Sequence, residues 1–570
     1  MRFASWFLIL LPAVLALLYV RAFGVSVVHH DAWEMVPLFD KWSSGTLGVS
    51  DLYRQHNEHR MFFPKGVELL LGSVTNYDNI TEMYLIQVCF HVTLVILLLA
   101  FRDNDTNKPW LILFVPISLL IFSFRQYENM LFGFQINFAF TQTFSMLAFF
   151  LLHVLGHKSF KKPVFLAALG SATIASFSTI QGLFVWPVGL LQLFIGAIEK
   201  PTRKRLALLW GLAGLGEWIA YFIDYTKPKD HPSLLYALAH PLAGTEYLLN
   251  LLGSSLFWQQ SSAFVGSLFL TCFALVIILL IYKDGKVGEY PFWVSLLLYS
   301  FLILASITFG RSGFGAQQAL APRYTSFSIV AVVSIYAMLV KTVFERRSSI
   351  NTALLVALSG AILLSATISY SEGIKVGSKE KVSREKTAFV LSTYESQPDE
   401  LLTKYLYPRA DVVRKRASIL QRLGYNVFSE PQAQGWLPPL SSLSPTASPT
   451  LFGVTITGDG MSQENQSVIV IPKETSFIQL TGWAVDADNG SPASGVYIGV
   501  DSELFPAFYG MERKDVADTF GVPSYRYSGF ERAIPVSEVG VGTHKLFVVV
   551  LTSDRKKYYP PDRKVTLEVK

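Results

Sequence analysis

Acidic and histidine side chains are concentrated in one early polar segment of an otherwise apolar chain. Asp31 and Glu34 follow the first apolar run, and their spacing of three places them on one face if a helical turn forms here. The string His56-Asn57-Glu58-His59-Arg60 follows. Ionisable groups at a membrane boundary that project into a cavity are usually functional, and a carboxylate can deprotonate or orient a hydroxyl group. A solvated loop, with Glu58–Arg60 as a surface pair of little energetic value, is the alternative.

Two later polar segments add cations and amides. Glu128 and Gln135 lie between two apolar runs, where they face water, cap a helix hairpin or line a polar cavity. Arg311 and Arg323-Tyr324 flank a glycine-rich stretch. The planar fork of arginine suits phosphate oxygens, although an arginine at a helix end also reaches for the membrane surface without binding anything.

A divalent metal ion is compatible with the many histidines and carboxylates between residues 29 and 60. No fixed ligand spacing is present there, so the metal ligands stay unknown. No cofactor is indicated with certainty.

The elements that carry these segments are apolar helices. The chain has 570 residues, of which 51% are hydrophobic and 16% charged, against about 25% charged in soluble domains. Residues 1–369 contain 25 Lys and Arg against 19 Asp and Glu, whereas residues 370–570 contain 23 of each. Because the excess of basic residues lies in the apolar part, it does not indicate a nucleic-acid partner.

Eleven apolar runs approach the length needed to cross a bilayer. They cover residues 4–23, 83–101, 109–124, 136–155, 163–179, 183–198, 206–223, 261–282, 291–309, 324–343 and 350–369. Fifteen basic residues fall between alternate runs, as expected for cytoplasmic loops: Arg2, Arg102, Lys108, Lys158, Lys161, Lys162, Lys200, Arg203, Lys204, Arg205, Lys283, Lys286, Lys341, Arg346 and Arg347. This pattern predicts a polytopic α-helical membrane protein with a cytoplasmic N-terminus.

The same topology places residues 24–82, 125–135, 224–260 and 310–323 on the outer face, with everything after about residue 370. The tail divides into a helical segment at 371–437, a Ser/Pro-rich linker at 438–450 and a β-sandwich-like domain at 451–570. Alternating apolar residues predict strands at 451–456, 467–471, 477–485, 495–500 and 544–551. The fold class is therefore about 11 transmembrane helices at residues 1–370, followed by a soluble α+β region.

This arrangement resembles the GT-C superfamily of membrane glycosyltransferases. The resemblance covers roughly residues 1–370. Besides the strings around Glu58 and the two arginines, it is carried by Tyr127-Glu128-Asn129, Gly133-Phe134-Gln135, Gln181-Gly182-Leu183 and Trp186-Pro187, which resemble a bacterial group within that superfamily.

The resemblance implies transfer of a sugar from a polyprenyl-phosphate donor to a glycan or lipid acceptor of the cell envelope. It also implies a location in the bacterial cytoplasmic membrane, with the C-terminal domain periplasmic or extracellular. In the superfamily an acidic residue of the first outer loop serves as base or acceptor-positioning carboxylate, and by position the resemblance implies this role for Asp31. Some members of the superfamily bind a divalent metal there.

The chemistry of transfer suits the residues independently, since a carboxylate must act on the acceptor hydroxyl and cations must stabilise the departing phosphate. Asp31 and Glu58 are the predicted catalytic residues. The predicted substrate-binding residues are Glu34, His56, His59, Arg60, Glu128, Gln135, Arg311, Arg323 and Tyr324. The alternatives are a transporter or flippase of lipid-linked saccharides, and a scaffold whose β domain binds glycans.

Overall fold

A computed structural model describes residues 2–102, 110–157, 162–196, 198–229, 231–283, 286–346, 349–429, 437–448, 451–458, 461–464 and 468–570. The chain divides into two compact units, the first formed by Met1–Val25 and Lys41–Lys381 and the second by Ser26–Asp40 and Val382–Lys570. Lys108, Lys158, Lys161 and Arg347, on which the predicted topology partly rests, lie outside the described residues.

Helices build the first unit. They are α1 (Arg2–Phe23), α2 (Val36–Ser43, which begins in the second unit), α3 (Val49–Tyr53), α4 (Phe62–Thr75), α5 (Asn79–Phe101), α6 (Trp110–Ile121), α7 (Tyr127–Leu131), α8 (Ile136–His157), α9 (Lys162–Ser176), α10 (Val185–Ile195), α11 (Lys200–Phe222), α12 (Tyr236–Ala239), α13 (Pro241–Gly253), α14 (Gln260–Lys283), α15 (Pro291–Arg311), α16 (Thr325–Arg346) and α17 (Ser349–Ser392).

Seven helical segments among the described residues are long and apolar enough to cross a membrane. They are Phe3–Phe23, Asn79–Phe101, Trp110–Leu131, Gly133–Leu155, Pro291–Phe314, Pro322–Phe344 and Asn351–Ser392. Large apolar side chains on these segments face outward, among them Phe3 at 87% exposed and Val95 at 52%. Exposed apolar faces of this size indicate contact with lipid, and the protein is a helical membrane protein.

The remaining four of the eleven predicted runs are not among these seven segments. Three of them contain shorter apolar helices, Lys162–Ser176, Ile180–Ile195 and Ala263–Ile278, the last of which lies within the 24-residue α14. The fourth lies in α11, whose first turns contain Arg203, Lys204 and Arg205. The described residues therefore support seven candidate spans, and the count of eleven crossings stays a prediction.

Short turns connect the long helices at the polar segments. After α15 the chain forms three 3₁₀ turns, Ser312–Phe314, Ala316–Leu320 and Pro322–Tyr324. Gly315 has a φ of +93°, which only glycine adopts without strain. A Cβ on Gly313 would overlap Pro232, so glycine is what permits this connection to pack against the segment after α11.

The second unit joins residues 26–40 to the C-terminal region. The 3₁₀ helix His30–Met35 buries Trp33 completely. Next to it, the backbone N–H of Val28 donates to Asn426 Oδ1 at 3.1 Å. The helices of this unit, after the end of α17, are α18 (Asp399–Tyr405), α19 (Ala410–Leu423), α20 (Lys514–Phe520) and α21 (Val536–Val539).

Two sheets that share one strand complete this unit. The strands are β1 (Ser444–Pro445), β2 (Leu451–Gly458), β3 (Met461–Glu464), β4 (Val468–Ile471), β5 (Phe477–Asp486), β6 (Ser491–Pro492), β7 (Gly495–Val500), β8 (Glu503–Met511), β9 (Gly529–Pro535), β10 (Gly542–Leu551), β11 (Lys557–Tyr559) and β12 (Lys564–Val569). One sheet contains β1, β11, β10, β7 and β8, with β12 and β4, and the other contains β8, β9, β5, β2 and β3, with β6. Their inner side chains, such as Ile478 and Val548, form one buried core.

Strands lie at all five positions where alternation predicts them, and β4, β5, β7 and β10 follow those ranges closely. The predicted end of the membrane domain at residue 370 lies inside α17, which continues to Ser392. Within the predicted linker, Ser444 and Pro445 pair with β11. Residues 430–436 and 449–450 of the predicted helical segment and linker lie outside the described residues.

Candidate functional site

Glu58 and Arg311 form an ion pair in the first unit. Arg311, the last residue of α15, donates from Nη2 to Glu58 Oε1 at 2.5 Å. Both side chains are largely enclosed, with 19% and 16% exposed for Arg311 and Glu58. Burial strengthens such a pair because water screens it less than a surface pair.

A tight turn presents Glu58. The backbone groups of His56 and His59 exchange two hydrogen bonds of 2.8 Å, so Asn57 and Glu58 form the corner. Asn57 has a φ of +49°, a left-handed conformation that asparagine tolerates better than most residues. The short sequence between α3 and α4 thus projects one carboxylate from a fixed corner.

Two histidines contact the same carboxylate. His59 Nε2 lies 3.7 Å from Glu58 Oε1, and His231 Nδ1 lies 3.6 Å from Glu58 Oε2. His59 Nδ1 accepts a hydrogen bond of 3.3 Å from the backbone N–H of Ile180, which leaves the proton of a neutral ring on Nε2, toward Glu58. Glu58 Oε2 accepts no hydrogen bond within the described part of the chain, although it is buried.

The neighbours of Glu58 keep its carboxyl group ionised. Burial by itself raises the pKa of a carboxyl group, but the electrostatic effects of His59 and Arg311 and the hydrogen bond from Arg311 outweigh it and lower the pKa of Glu58 to about 2. At neutral pH Glu58 is therefore a hydrogen-bond acceptor with one oxygen available.

A second arginine–glutamate pair lies close by. Arg323 Nη1 donates to Glu128 Oε1 at 2.8 Å, and Asn129 Nδ2 donates to the backbone carbonyl of Arg323 at 3.1 Å. Arg125, fully enclosed near Trp258, donates from Nη2 to the carbonyl of Leu320 at 2.6 Å. Arg125 and Asn129, on either side of Glu128, thus bind the backbone of the connection between α15 and α16, which contains Arg323.

Neutral polar groups join the two pairs. Gln318 Nε2 donates to the Tyr324 hydroxyl at 3.2 Å, and its Oε1 accepts from the Tyr247 hydroxyl. Both arginines interact electrostatically with Tyr247 and with each other. We call this group the arginine–glutamate cluster; it consists of Glu58, His59, Glu128, His231, Tyr247, Arg311, Gln318, Arg323 and Tyr324.

Arg60 has a structural role in the neighbourhood. Its guanidinium donates to three backbone carbonyls: Tyr221 at 2.6 Å, Tyr53 at 3.0 Å and Ile223. It also lies over the Tyr53 ring, 4.3 Å from the centroid. These contacts tie the Glu58 turn to the end of α11.

His56 flanks the Glu58 turn, and Gln135 ends the short turn Gly133–Gln135 before α8. The His56 ring meets Phe134 edge-on with centroids 5.4 Å apart, and its Nε2 lies 3.2 Å from Asn57 Nδ2. Gln135 is buried, and its Oε1 accepts no hydrogen bond among the described residues.

Asp31 and Glu34 belong to the second unit. Asp31 is exposed on the 3₁₀ helix His30–Met35. Glu34 Oε1 accepts from Arg416 Nη1 at 2.8 Å, and the same nitrogen donates to the carbonyl of Trp33 at 2.8 Å. The two predicted catalytic carboxylates, Asp31 and Glu58, are thus held by different units.

His231, Tyr247 and Gln318 are the cluster members that are not among the predicted site residues. His231 and Tyr247 lie in residues 224–260 and Gln318 lies in 310–323, and the charge pattern assigns both ranges to the outer face, so that assignment was the available signal. Tyr247 lies within the apolar stretch 234–256, where no polar pattern distinguishes it. Among the described residues, no group of three or more His, Cys, Asp or Glu side chains is arranged to hold a metal ion.

Comparison with known proteins identifies no family. No protein-family model matches the chain. No solved structure matches it. The chain is similar to an uncharacterised protein of Archaeoglobus fulgidus, at 27% identity over 258 residues that cover 41% of this chain and 65% of the relative. The chain thus spans less than two thirds of that relative's length.

Proposed function

We propose that the protein is a membrane glycosyltransferase that takes its sugar from a polyprenyl-phosphate donor and passes it to a glycan or lipid acceptor. The observation that carries this proposal is the arginine–glutamate cluster, with two guanidiniums and an ionised carboxylate beside long apolar helices. A lipid-linked phosphate has the matching chemistry, since its chain dissolves in the bilayer and its head group is an anion.

The arginines would bind the phosphate. Each guanidinium has five N–H donors, and the ion pairs engage one nitrogen of Arg311 and one of Arg323, so donors are left for phosphate oxygens. When the bond between the sugar carbon and the phosphate oxygen breaks, its electron pair stays on the phosphate. Two positive charges close to each other stabilise that developing charge.

Glu58 would position hydroxyl groups. A carboxylate with a pKa of about 2 accepts hydrogen bonds well but takes up a proton poorly, so we assign Glu58 to orienting the sugar or acceptor. Asp31 is retained as the proposed base, which removes the proton of the attacking hydroxyl. That assignment rests on the resemblance to the GT-C superfamily.

The orientation of the protein and its number of membrane crossings are also part of this proposal. The basic residues between alternate apolar runs favour a cytoplasmic N-terminus. With eleven crossings, three of them by the shorter apolar helices and one by α11, the cluster would lie on the outer face of the cytoplasmic membrane, where polyprenyl-linked sugars are used.

The test is sugar transfer by the purified full-length protein in lipid vesicles. Radiolabelled polyprenyl-phosphate sugars are supplied with envelope lipid or glycan acceptors, and labelled product is measured for wild type, Arg323→Gln and Asp31→Asn. Lys375→Gln is the matched control, since it breaks an exposed ion pair with Glu372. We expect transfer by wild type and the control, and a large loss in both variants.

Other outcomes would redirect the proposal. Movement of intact lipid-linked saccharide across the vesicle membrane without transfer would indicate a flippase. Full turnover by a folded Asp31→Asn protein would remove Asp31 from the base role and leave the cluster as the site.

A further inference from the structure

Two glutamates are enclosed in the first unit outside the arginine–glutamate cluster. Glu68 lies in α4 and Glu82 in the first turn of α5, with 0% and 2% of their surfaces exposed. The two carboxyl groups interact electrostatically. Within the described residues, neither oxygen of Glu68 accepts a hydrogen bond, nor does Oε1 of Glu82. Glu82 Oε2 accepts from Asn79 Nδ2 at 3.0 Å.

The charges that face this pair are few. Lys65, 4% exposed and one turn before Glu68, acts on Glu68, and its Nζ donates to the carbonyl of Arg54 at 2.7 Å. Tyr77 and Asp78, in the connection before α5, also interact with the pair. Tyr77 is neutral at ordinary pH and Asp78 adds negative charge, so Lys65 is the cation that these contacts supply.

One positive charge against two carboxylates leaves one negative charge uncompensated. An ionised carboxylate without a hydrogen-bond donor, enclosed away from water, costs several kcal/mol. Three buried oxygens without donors are therefore incompatible with two ionised groups, and the smallest ligand that removes the excess charge is a proton.

We propose that Glu68 and Glu82 form a proton-binding site that holds one proton at neutral pH, with Lys65 balancing the remaining carboxylate. Burial, first, and the proximity of Glu82, second, raise the pKa of Glu68 well above its usual value, and the opposing charge of Lys65 does not cancel them. Ionisable groups enclosed in membrane proteins commonly bind and release protons or ions. The proposal stands independently of sugar transfer.

The position of Glu82 connects this proton to a predicted functional segment. A Cβ on Gly133 would overlap the Glu82 carboxyl, so the carboxyl packs directly on the turn Gly133–Gln135. That turn follows α7, which contains Glu128. Release of the proton would place a second negative charge against this turn.

Infrared spectroscopy of the full-length protein in lipid vesicles tests the proposal. A protonated carboxyl group has a carbonyl band that a carboxylate lacks, and its intensity counts protons. We expect the difference between wild type and the double variant Glu68→Gln/Glu82→Gln at pH 7 to contain one protonated carboxyl. The double variant has no carboxyl group at either position, so it cannot hold the proton. Glu58→Gln is the spectroscopic control, because Glu58 is ionised and its loss leaves the band unchanged.

Two further arms make the result decisive. Lys65→Met removes the balancing charge, and we expect the protonated band of the pair to double. If wild type shows no such band in sodium buffer but gains it when a bulky organic cation replaces sodium, the ligand is a metal ion and the proton site is wrong. A band that survives unchanged in the double glutamine variant overturns the proposal as well.

Discussion

Glu58 balances the charge of Arg311. Replacing Glu58 by a neutral residue should therefore change donor binding and turnover in opposite directions. In Glu58→Gln the side chain keeps its shape while Arg311 no longer shares its donors with a carboxylate. If Arg311 binds donor phosphate, we expect KM for the donor to fall. We expect kcat to fall by roughly 10²-fold, the usual effect of losing one positioned polar group. Steady-state transfer kinetics measure both, and an unchanged kcat would remove Glu58 from the site.

The low pKa of Glu58 also predicts how stability depends on pH. A carboxyl whose pKa falls from 4.5 to about 2 on folding stabilises the folded state above pH 4.5. This contribution, of order 3 kcal/mol at most, is lost as pH decreases from 4.5 through 2. The melting temperature of wild type should therefore exceed that of Glu58→Gln at pH 6, and the gap should shrink toward pH 2. A gap independent of pH would contradict this account of Glu58.

At the scale of the elements, the packing of the turn Gly133–Gln135 depends on the close approach of Glu82, which leaves no room for a Cβ at Gly133. Gly133→Ala places a Cβ against the Glu82 carboxyl, and we expect a destabilisation of about 1–3 kcal/mol, typical of overpacking. Gly170→Ala in α9 is the matched control, because no atom lies within 4 Å of its added Cβ. That control should be neutral or stabilising, by up to about 1 kcal/mol, since alanine favours a helix. Thermal unfolding of the two variants, measured side by side, shows whether Gly133→Ala alone is destabilised.

Arg60 links the Glu58 turn to α11 by bonds that a lysine cannot reproduce. Arg60→Lys loses the planar fork that reaches three carbonyls, and each charge-assisted hydrogen bond contributes about 1.5–3 kcal/mol. We expect lower thermal stability and faster proteolysis between residues 53 and 61. Arg422→Lys, at an exposed ion pair with Asp40, should change neither. Equal behaviour of the two variants would exclude this role for Arg60.

For the whole molecule, the predicted orientation is directly measurable. In a background with Cys272→Ser, single cysteines at Ser50 and Val541 should react with a membrane-impermeant maleimide in intact cells, whereas one at Lys204 should react only after lysis. Cys89 is buried and contributes little labelling. Labelling of Lys204→Cys in intact cells would reverse the topology.

The sequence predicted separate residues better than their associations. Alternation located β5 within one residue, because a half-buried strand repeats every two residues. Arg311, Arg323, Glu58 and Glu128 were selected singly as polar groups at helix ends. Their pairing across 253 and 195 residues follows from helix packing, which local patterns do not encode. Glu68 and Glu82 are not among the predicted site residues, and only their mutual approach makes them notable.

Residues 26–40 form one unit with a region that the ribosome makes much later. At about 5–20 residues per second, the hundreds of residues that intervene take on the order of tens of seconds to synthesise. Throughout this interval Trp33, Val36 and Phe39, which end up buried, have not yet met their partners. The biogenesis of this protein therefore includes a waiting period in which an early segment needs a chaperone or the lipid surface, and stalled or truncated chains should be degraded preferentially.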